Sequence, residues 1–554
     1  MAKPKNSREV LKAAAAVMLA ASAISAATPA SADTCSNLAS GFHRPNTTIT
    51  TAVTVPAGSF VTPTVPPQTI MNLPQFCRVA GFTTPTSDSH IGFEVWLPET
   101  GWNGKYLQAG CGGFCGSISY GAMAEPLRRG YAVAATDDGH QASGIDASWA
   151  VGHPEKVVDF GYRALKETTD VAKALIMAFE LSGPRRSYFM GCSDGGREAL
   201  MEAQRFPADF DGIVAGSPAN FWTHLMSGFV WNGLALAATA SGDLAQADLD
   251  AVSNAALAQC AGHDGGLSTD KFLNNPPACR FKPRQLLCTA HSVGSCLTQD
   301  KVEAVEQIFS GPPHIFPGYV GGEGEANVFA DWPLWITDTG NPAVSLQGLF
   351  ASNFFQFMVF PGIGWTPNTF SVAENAKAAD ARVGGILNSI DPDLGPFKSR
   401  GGKLIQYVGW SDSAISPQSD IDYYKAVTQA MQGPKHTAEF YRLFMVPGMS
   451  HCAGGPGANA FGQAVNGPNP SDPAGDVLSA LDHWVEFGAA PEKIIATKYV
   501  NDNPSLGIAF QRPLCVYPAA AKFNGSGNPT AASSFECVKN EGEDNNHSQS
   551  AENP

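Results

Sequence analysis

Beyond residue 27 this chain has no apolar run long enough to cross a bilayer as a helix, which excludes a bundle of membrane-spanning helices. Positive charge is scarce: 35 Lys and Arg stand against 50 Asp and Glu, for a formal −15 at pH 7. A surface with that balance argues against nucleic acid or anionic lipid as a partner, because both are held by basic patches. No fixed-period repeat is visible, which removes solenoids and propellers. No C-x-x-C pair occurs either. The nearest thing to one, Cys111 and Cys115, is a residue too long for the usual redox motif, so disulfide exchange is a poor reading.

What is present starts with the termini. Lys3, Lys5, Arg8 and Lys12 precede an apolar stretch from Ala13 to Ala27, and Ala30-Ser31-Ala32 supplies small residues for a signal peptidase. The pattern predicts a signal peptide over 1–32, a mature chain beginning near Asp33, and a secreted or periplasmic protein. Its removal takes four basic residues and Glu9 away and leaves the remainder more acidic. At the other end, residues 538–554 are polar and acidic and are expected to be disordered.

The 12 cysteines are even in number and all follow the signal segment, which suits a disulfide framework in an oxidising compartment. Sequence neighbours propose Cys35 with Cys77, Cys111 with Cys115, Cys260 with Cys279, Cys288 with Cys296, and Cys515 with Cys537. Cys192 and Cys452 are left over. Each directly abuts a residue with catalytic potential, in Gly191-Cys192-Ser193-Asp194-Gly195 and in Ser450-His451-Cys452. If those two are bonded, Ser193 and His451 are drawn together across the intervening chain.

From about residue 90 the pattern alternates strand and helix. Strands are expected at 91–97, 106–109, 131–135, 187–190 and 212–215, with helices at 162–181 and 197–205. The alternation resumes with strands at 403–408 and 441–446 and a helix at 474–487. Such alternation predicts an α/β fold with a parallel sheet. The chain therefore divides into a first core segment (33–218), an interrupting stretch (219–395) and a second core segment (396–537). The interruption is rich in Gly-Pro turns and in aromatics: Phe221, Trp222, Phe229, Trp231, Trp332, Trp335, Phe354, Phe355, Phe357, Phe360 and Trp365. Aromatics at that density mostly form a core of their own, so only a minority of them should touch a ligand.

The run Gly191 to Gly195 has the G-x-S-x-G form of a nucleophile elbow, a strained strand-to-helix turn that presents a serine hydroxyl. A serine hydrolase also needs a base and a group to orient it. His451 follows a strand and a Pro-Gly turn, and Asp412 follows another strand end. The order Ser193, Asp412, His451 is the one α/β-hydrolases use. Asp420 and Asp391 are alternative orienters. His140, His436 and His483 lack the flanking cysteine that sets His451 apart.

These residues, with Gly196-Arg197 after the elbow and the phrase Gly212-Ile213-Val214-Ala215-Gly216-Ser217-Pro218-Ala219-Asn220, resemble the tannase and feruloyl esterase family with its CS-D-HC signature. That family includes bacterial hydrolases of mono(2-hydroxyethyl) terephthalate. The resemblance covers nearly the whole mature chain. It implies an α/β-hydrolase core with a large lid domain inserted after the elbow unit, a Cys192–Cys452 disulfide, and a triad of Ser193, Asp412 and His451.

An oxyanion needs backbone N–H donors. Asp194, next after the nucleophile, supplies one by the geometry of an elbow, and the glycine-rich turn Gly110-Cys111-Gly112-Gly113 is expected to supply the other from Gly112, with Gly113 next in line. The family's lid commonly carries a calcium loop. Here its counterpart, Cys260 to Phe272, has Ala261 in place of the first acid, leaving Asp264, Asp270 and a carbonyl near Phe272 for a weakened structural Ca²⁺ site. Catalysis itself is expected to need no cofactor. The aromatic lid favours a flat acyl group, and the scarcity of lid arginines (Arg280, Arg284, Arg382) tilts the expectation to neutral hydroxycinnamoyl esters over galloyl or terephthaloyl ones. A non-catalytic polyphenol-binding protein is the alternative from another class.

Overall fold

The computed structural model describes residues 31–238, 242–290, 295–319, 332–337 and 345–539. Most of the expected signal segment and the tail from 540 onward lie outside these. A helix, Ser31–Gly41, runs across the expected cleavage point.

The centre is a nine-stranded sheet. Its strands are β1 (Thr47–Val55), β2 (Phe76–Thr83), β3 (Ile91–Pro98), β4 (Lys105–Ala109), β5 (Ala132–Thr136), β6 (Arg186–Cys192), β7 (Gly212–Gly216), β8 (Lys403–Gly409) and β9 (Tyr441–Val446). They are ordered β1-β2-β3-β5-β4-β6-β7-β8-β9. β1, β2, β3 and β5 pair antiparallel, and every pairing from β5 onward through β4, β6, β7, β8 and β9 is parallel. The parallel strands are short and apolar because helices cover both faces, and every residue of β4, β5, β7 and β9 is buried. One face carries the helices Ala164–Glu180, Asp194–Arg205 and Pro417–Ala430, which bury Leu175, Leu200 and Ile421. The other carries Tyr120–Arg128 and Val477–Phe487, which bury Met123 and Leu481. This is the α/β fold with parallel strands expected from the alternation, in the α/β-hydrolase form that the resemblance implies.

The sequence reading did not foresee β1 and β2, nor the hairpin of Lys493–Tyr499 with Ile508–Cys515. β1 reads TTITTAVTV and buries only Ala52, so an edge strand of this kind carries no period-two hydrophobic signal. The final strand, Phe535–Lys539, runs two residues past the boundary assigned to the core.

Between β7 and β8 no strand occurs among the described residues. The insertion is helical, with Trp222–Ala237, Gln246–Cys260, Gln299–Ser310, Leu346–Asn353 and Val372–Ala379 as its longer pieces. Phe354, Phe355, Met358 and Trp365 pack with Trp222 and Phe229 into one core that also takes in Phe114, Ala414 and Ile415. Those last three lie on loops that follow β4 and β8, so the insertion sits on the carboxyl ends of the strands, where α/β sheets bind ligands.

All six cysteine pairs are those read from the sequence: Cys35–Cys77, Cys111–Cys115, Cys192–Cys452, Cys260–Cys279, Cys288–Cys296 and Cys515–Cys537. Among the described residues no helix is long and apolar enough to cross a membrane.

Candidate active site

β6 ends at Cys192 and a helix begins at Asp194, so Ser193 alone makes the turn, at φ 67° and ψ −121°. A non-glycine residue there is strained, and the surroundings must hold it. They do so with backbone bonds: Ser193 N–H donates to Gly216 O (3.0 Å), and Ser193 O accepts from the N–H groups of Gly196, Arg197 and Ala219. The turn is tight enough that a Cβ on Gly191 would stand 2.5 Å from Gly195 O, which is why glycines flank it.

Asp412 and His451 come from the loops after β8 and β9. The Asp412 carboxylate is buried and accepts from Ala414 N–H (2.9 Å) and Ile415 N–H (2.8 Å). His451 Nδ1 lies 2.9 Å from Asp412 Oδ2 and 3.1 Å from Oδ1. A carboxylate only accepts, so the imidazole carries its proton on Nδ1 and leaves Nε2 with a free lone pair. The insertion braces this loop: Gln347 donates to Ser413 O, and Tyr319 donates to Ala414 O. The alternative orienters stand elsewhere. Asp420 accepts from the Gln406 side chain inside the core, and Asp391 lies at the surface beside Gln204.

Cys192 and Cys452 are bonded, with Cα atoms 6.0 Å apart across a separation of 260 residues. Ser193 and His451 therefore share the wall of one cavity of about 310 Å³. No hydrogen bond joins the hydroxyl to the ring among the described residues; in uncomplexed sites that contact is commonly long and closes with substrate. Of the insertion's aromatics, Trp222, Phe229, Trp335 and Phe350 reach the cavity, and Trp335 stands edge-on to the His451 ring with centroids 5.1 Å apart. Phe354, Phe355 and Trp365 are buried in the insertion's core instead. The rest of the wall is Leu225, Met226, Ala219, Ala414 and Ile415 with the Gly112-Gly113 turn and the Cys192–Cys452 bond. Reading the sequence missed Leu225, Met226 and Phe350. The first two share a face of the helix Trp222–Ala237 with Trp222 and Phe229, a helical spacing that was there to be seen.

Gly112 N–H and Asp194 N–H make no hydrogen bond among the described residues, and a Cβ on Gly112 would meet only open space. Cys111 O accepts from Gly195 N–H (2.9 Å). In a trans peptide the N–H points opposite to the C=O, so this bond turns Gly112 N–H away from the helix, towards the cavity that Gly112 lines.

The loop expected to hold calcium does not fit that ion. Asp264 accepts from the N–H groups of Gly266, Asn274 and Asn275, and Asp270 accepts from Leu267 N–H and pairs with Arg512 at 3.0 Å. The oxygens a hard cation would need are spent on donors, and a guanidinium already neutralises Asp270. The carboxylate Ala261 replaces has no substitute in this loop.

Against known proteins, residues 77–538 match the model of a family described as tannase and feruloyl esterase. The chain belongs to the tannase and feruloyl esterase family. It is 43% identical over 521 residues to an uncharacterized esterase of Xanthomonas campestris pv. campestris, covering 89% of each chain. It is 33% identical over 481 residues to a probable feruloyl esterase B-1 of Aspergillus fumigatus, covering 84% of this chain and 86% of that one. The crystal structure of feruloyl esterase B from Aspergillus oryzae superposes with a TM-score of 0.83 at 31% identity, over 92% of this chain and 100% of that one. As a member of this tannase and feruloyl esterase family the protein is an ester hydrolase, and a serine nucleophile fits it.

Proposed function

We propose that Ser193, His451 and Asp412 form the catalytic triad of a serine esterase for neutral aromatic esters of the feruloyl type. His451 Nε2 takes the hydroxyl proton as Ser193 Oγ bonds to the ester carbonyl carbon. The oxyanion that forms lies on the N–H groups of Gly112 and Asp194, and the alkoxide leaves with the proton from His451. Water, deprotonated in turn by His451, attacks the acyl-enzyme and releases the carboxylic acid. The insertion acts as the lid. No step calls for a metal or cofactor. The lid loop holds without calcium, with Arg512 as its cation.

The observation that carries the substrate reading is the wall of the cavity. Among the described residues that line it, no side chain other than those of Ser193 and His451 is charged or strongly polar, and the aromatic residues Trp222, Phe229, Trp335 and Phe350 are part of the wall. A terephthalate monoester would bury its free carboxylate there without a counter-ion, at a cost of several kcal/mol. Arg284 is instead paired with Glu306 at the surface and Arg382 is bound to Met358 O. A galloyl group would bury three phenolic hydroxyls there where a feruloyl group buries one, and so asks for more hydrogen-bond partners than this wall offers. The relatives named feruloyl esterase point the same way. The six disulfides and the basic-apolar N-terminus support export to the periplasm or beyond the cell.

The test is a panel of methyl ferulate, methyl gallate and mono(2-hydroxyethyl) terephthalate, with a fluorophosphonate probe in parallel. Ferulate release should dominate, and labelling should vanish in Ser193→Ala. Labelling absent from the folded protein would leave a polyphenol binder, and dominant terephthalate release would overturn the acyl assignment.

A further inference from the structure

Directly behind the Gly110–Gly113 turn lies a group of ionisable side chains that the proposed mechanism does not use. Asp138, Asp194 and Glu198 are all almost completely shielded from solvent, and their carboxyl oxygens gather within 4.8 Å of one another around the Cys111–Cys115 disulfide. Arg197 is the one cation among them. It is itself fully buried, and it is committed to Asp194 and to the carbonyls of Phe160 and Gly161. Asp194 is therefore balanced, and Asp138 and Glu198 are left as two carboxyls with no cation between them.

We infer that Glu198 is a positioning residue for the oxyanion site, and that it holds the turn through a proton it shares with Asp138. The backbone of Cys111 is held by the helix Asp194–Arg205 through the peptide groups on both sides of its Cα. Its N–H donates to Glu198 Oε2 (3.0 Å) and its C=O accepts from Gly195 N–H (2.9 Å). The next N–H along the chain is that of Gly112. Rotation of the Cys111–Gly112 peptide would swing this donor off the oxyanion; the bonds of Cys111 to Glu198 and Gly195 oppose it, together with the Cys115 N–H bond to Gly112 O (3.0 Å) that closes the turn.

The grip needs a proton in the pair. Two bare carboxylates side by side in a dry site repel each other, whereas one carboxylic acid donating to one carboxylate satisfies both. Asp138 Oδ1 finds no donor in its surroundings, as expected of the oxygen that carries the proton itself. The Asp138 and Glu198 carboxyls lie within 4.8 Å of each other, and burial and then the neighbouring Glu198 charge raise the pKa of Asp138 well above the usual range. Burial and then the charge of Asp194 raise that of Glu198. The charged groups that face the pair are Asp194, Arg197 and, one turn on, Glu202 from the helix; the turn presents the disulfide and its backbone. Loss of the shared proton at alkaline pH pushes the two carboxylates apart and loosens the turn.

The proposal rests on Gly112 as an oxyanion donor, and the test separates the two. Wild type, Glu198→Ala, Glu198→Gln and Asp138→Asn are compared for kcat and KM on methyl ferulate from pH 5 to 10. Glu198→Ala should lose about 100-fold in kcat with KM within about twofold, since the donor is displaced while the acyl cavity is untouched. Glu198→Gln accepts from Cys111 N–H and donates to Asp138, and Asp138→Asn donates to Glu198. Both should keep kcat within about fivefold and lose the alkaline fall in kcat that wild type shows, because neither holds a titrating pair. Wild-type kcat in folded Glu198→Ala, or an unchanged alkaline limb in Glu198→Gln, overturns the proposal. If Glu198→Ala does not fold, the pH profile of Glu198→Gln decides alone. Failure of wild-type Ser193 to take a fluorophosphonate would instead overturn the esterase site itself.

Discussion

The two sides of Ser193 differ in kind. In front is a chamber of Trp222, Leu225, Met226, Phe229, Trp335 and Phe350 with no charged side chain among the described lining residues, and behind is a dry knot of three carboxylates and one arginine. Both are buried, yet one spends its burial on surface complementarity and the other on orientation. A chamber can be apolar because the substrate it is proposed to take brings little charge. The rear can be charged because its groups are satisfied by one another and by backbone, at fixed positions from which dipoles can be aimed. The difference divides labour: changes in front should alter which ester is cleaved, and changes behind should alter how fast.

The boundary between the two is the largest lever. Ser193→Ala should abolish turnover by about four orders of magnitude or more, and Asp412→Asn should cost about 10⁴ in kcat by stranding the imidazole in the wrong tautomer. Release of ferulate in single-turnover assays checks both. Replacing Cys192 and Cys452 together with serine should cost about 2–5 kcal/mol in denaturant unfolding, since the bond closes a loop of 260 residues, and should lower kcat more than KM.

In front, Leu225→Arg places a cation in the apolar chamber. It should lower kcat/KM for methyl ferulate about tenfold and raise relative turnover of mono(2-hydroxyethyl) terephthalate, so the ratio of the two rates is the readout. Behind, the shared proton makes stability depend on pH. The folded state keeps a proton that the unfolded chain releases at the ordinary carboxylate pKa. Stability from this source is fully present below that pKa and is lost as pH rises towards the raised folded value, by up to about 1.4 kcal/mol per unit per group. The fall in melting temperature between pH 5 and pH 8 should therefore be smaller in Asp138→Asn than in wild type. The smallest effect belongs to the lid loop: chelator should leave the melting temperature unchanged, whereas Arg512→Gln should lower it, because Asp270 loses its cation.

The core strands were legible because a parallel sheet buries both faces and writes uninterrupted apolar runs such as Ala132 to Ala135. β1 was not, because at a sheet edge its threonines face solvent and leave no period to read. Glu198 was equally hidden. It lies four residues after Asp194 on a helix whose surface is almost wholly buried, and a sequence does not say that a helix carrying Asp, Arg and Glu faces inward.

The calcium loop divides the same way. Its acids could be found by spacing, but the residue that competes for Asp270, Arg512, comes from a strand 242 residues away.

The chain by itself determined the elbow, the order of Ser193, Asp412 and His451, the α/β alternation and the cysteine partners, since all of these rest on local spacing or on counting. Only the tertiary structure decided which aromatics line the cavity, where Arg512 lies, and that Asp138 meets Glu198. Those contacts join segments far apart in sequence, and burial, which makes a carboxyl keep its proton, is a property of the packed molecule.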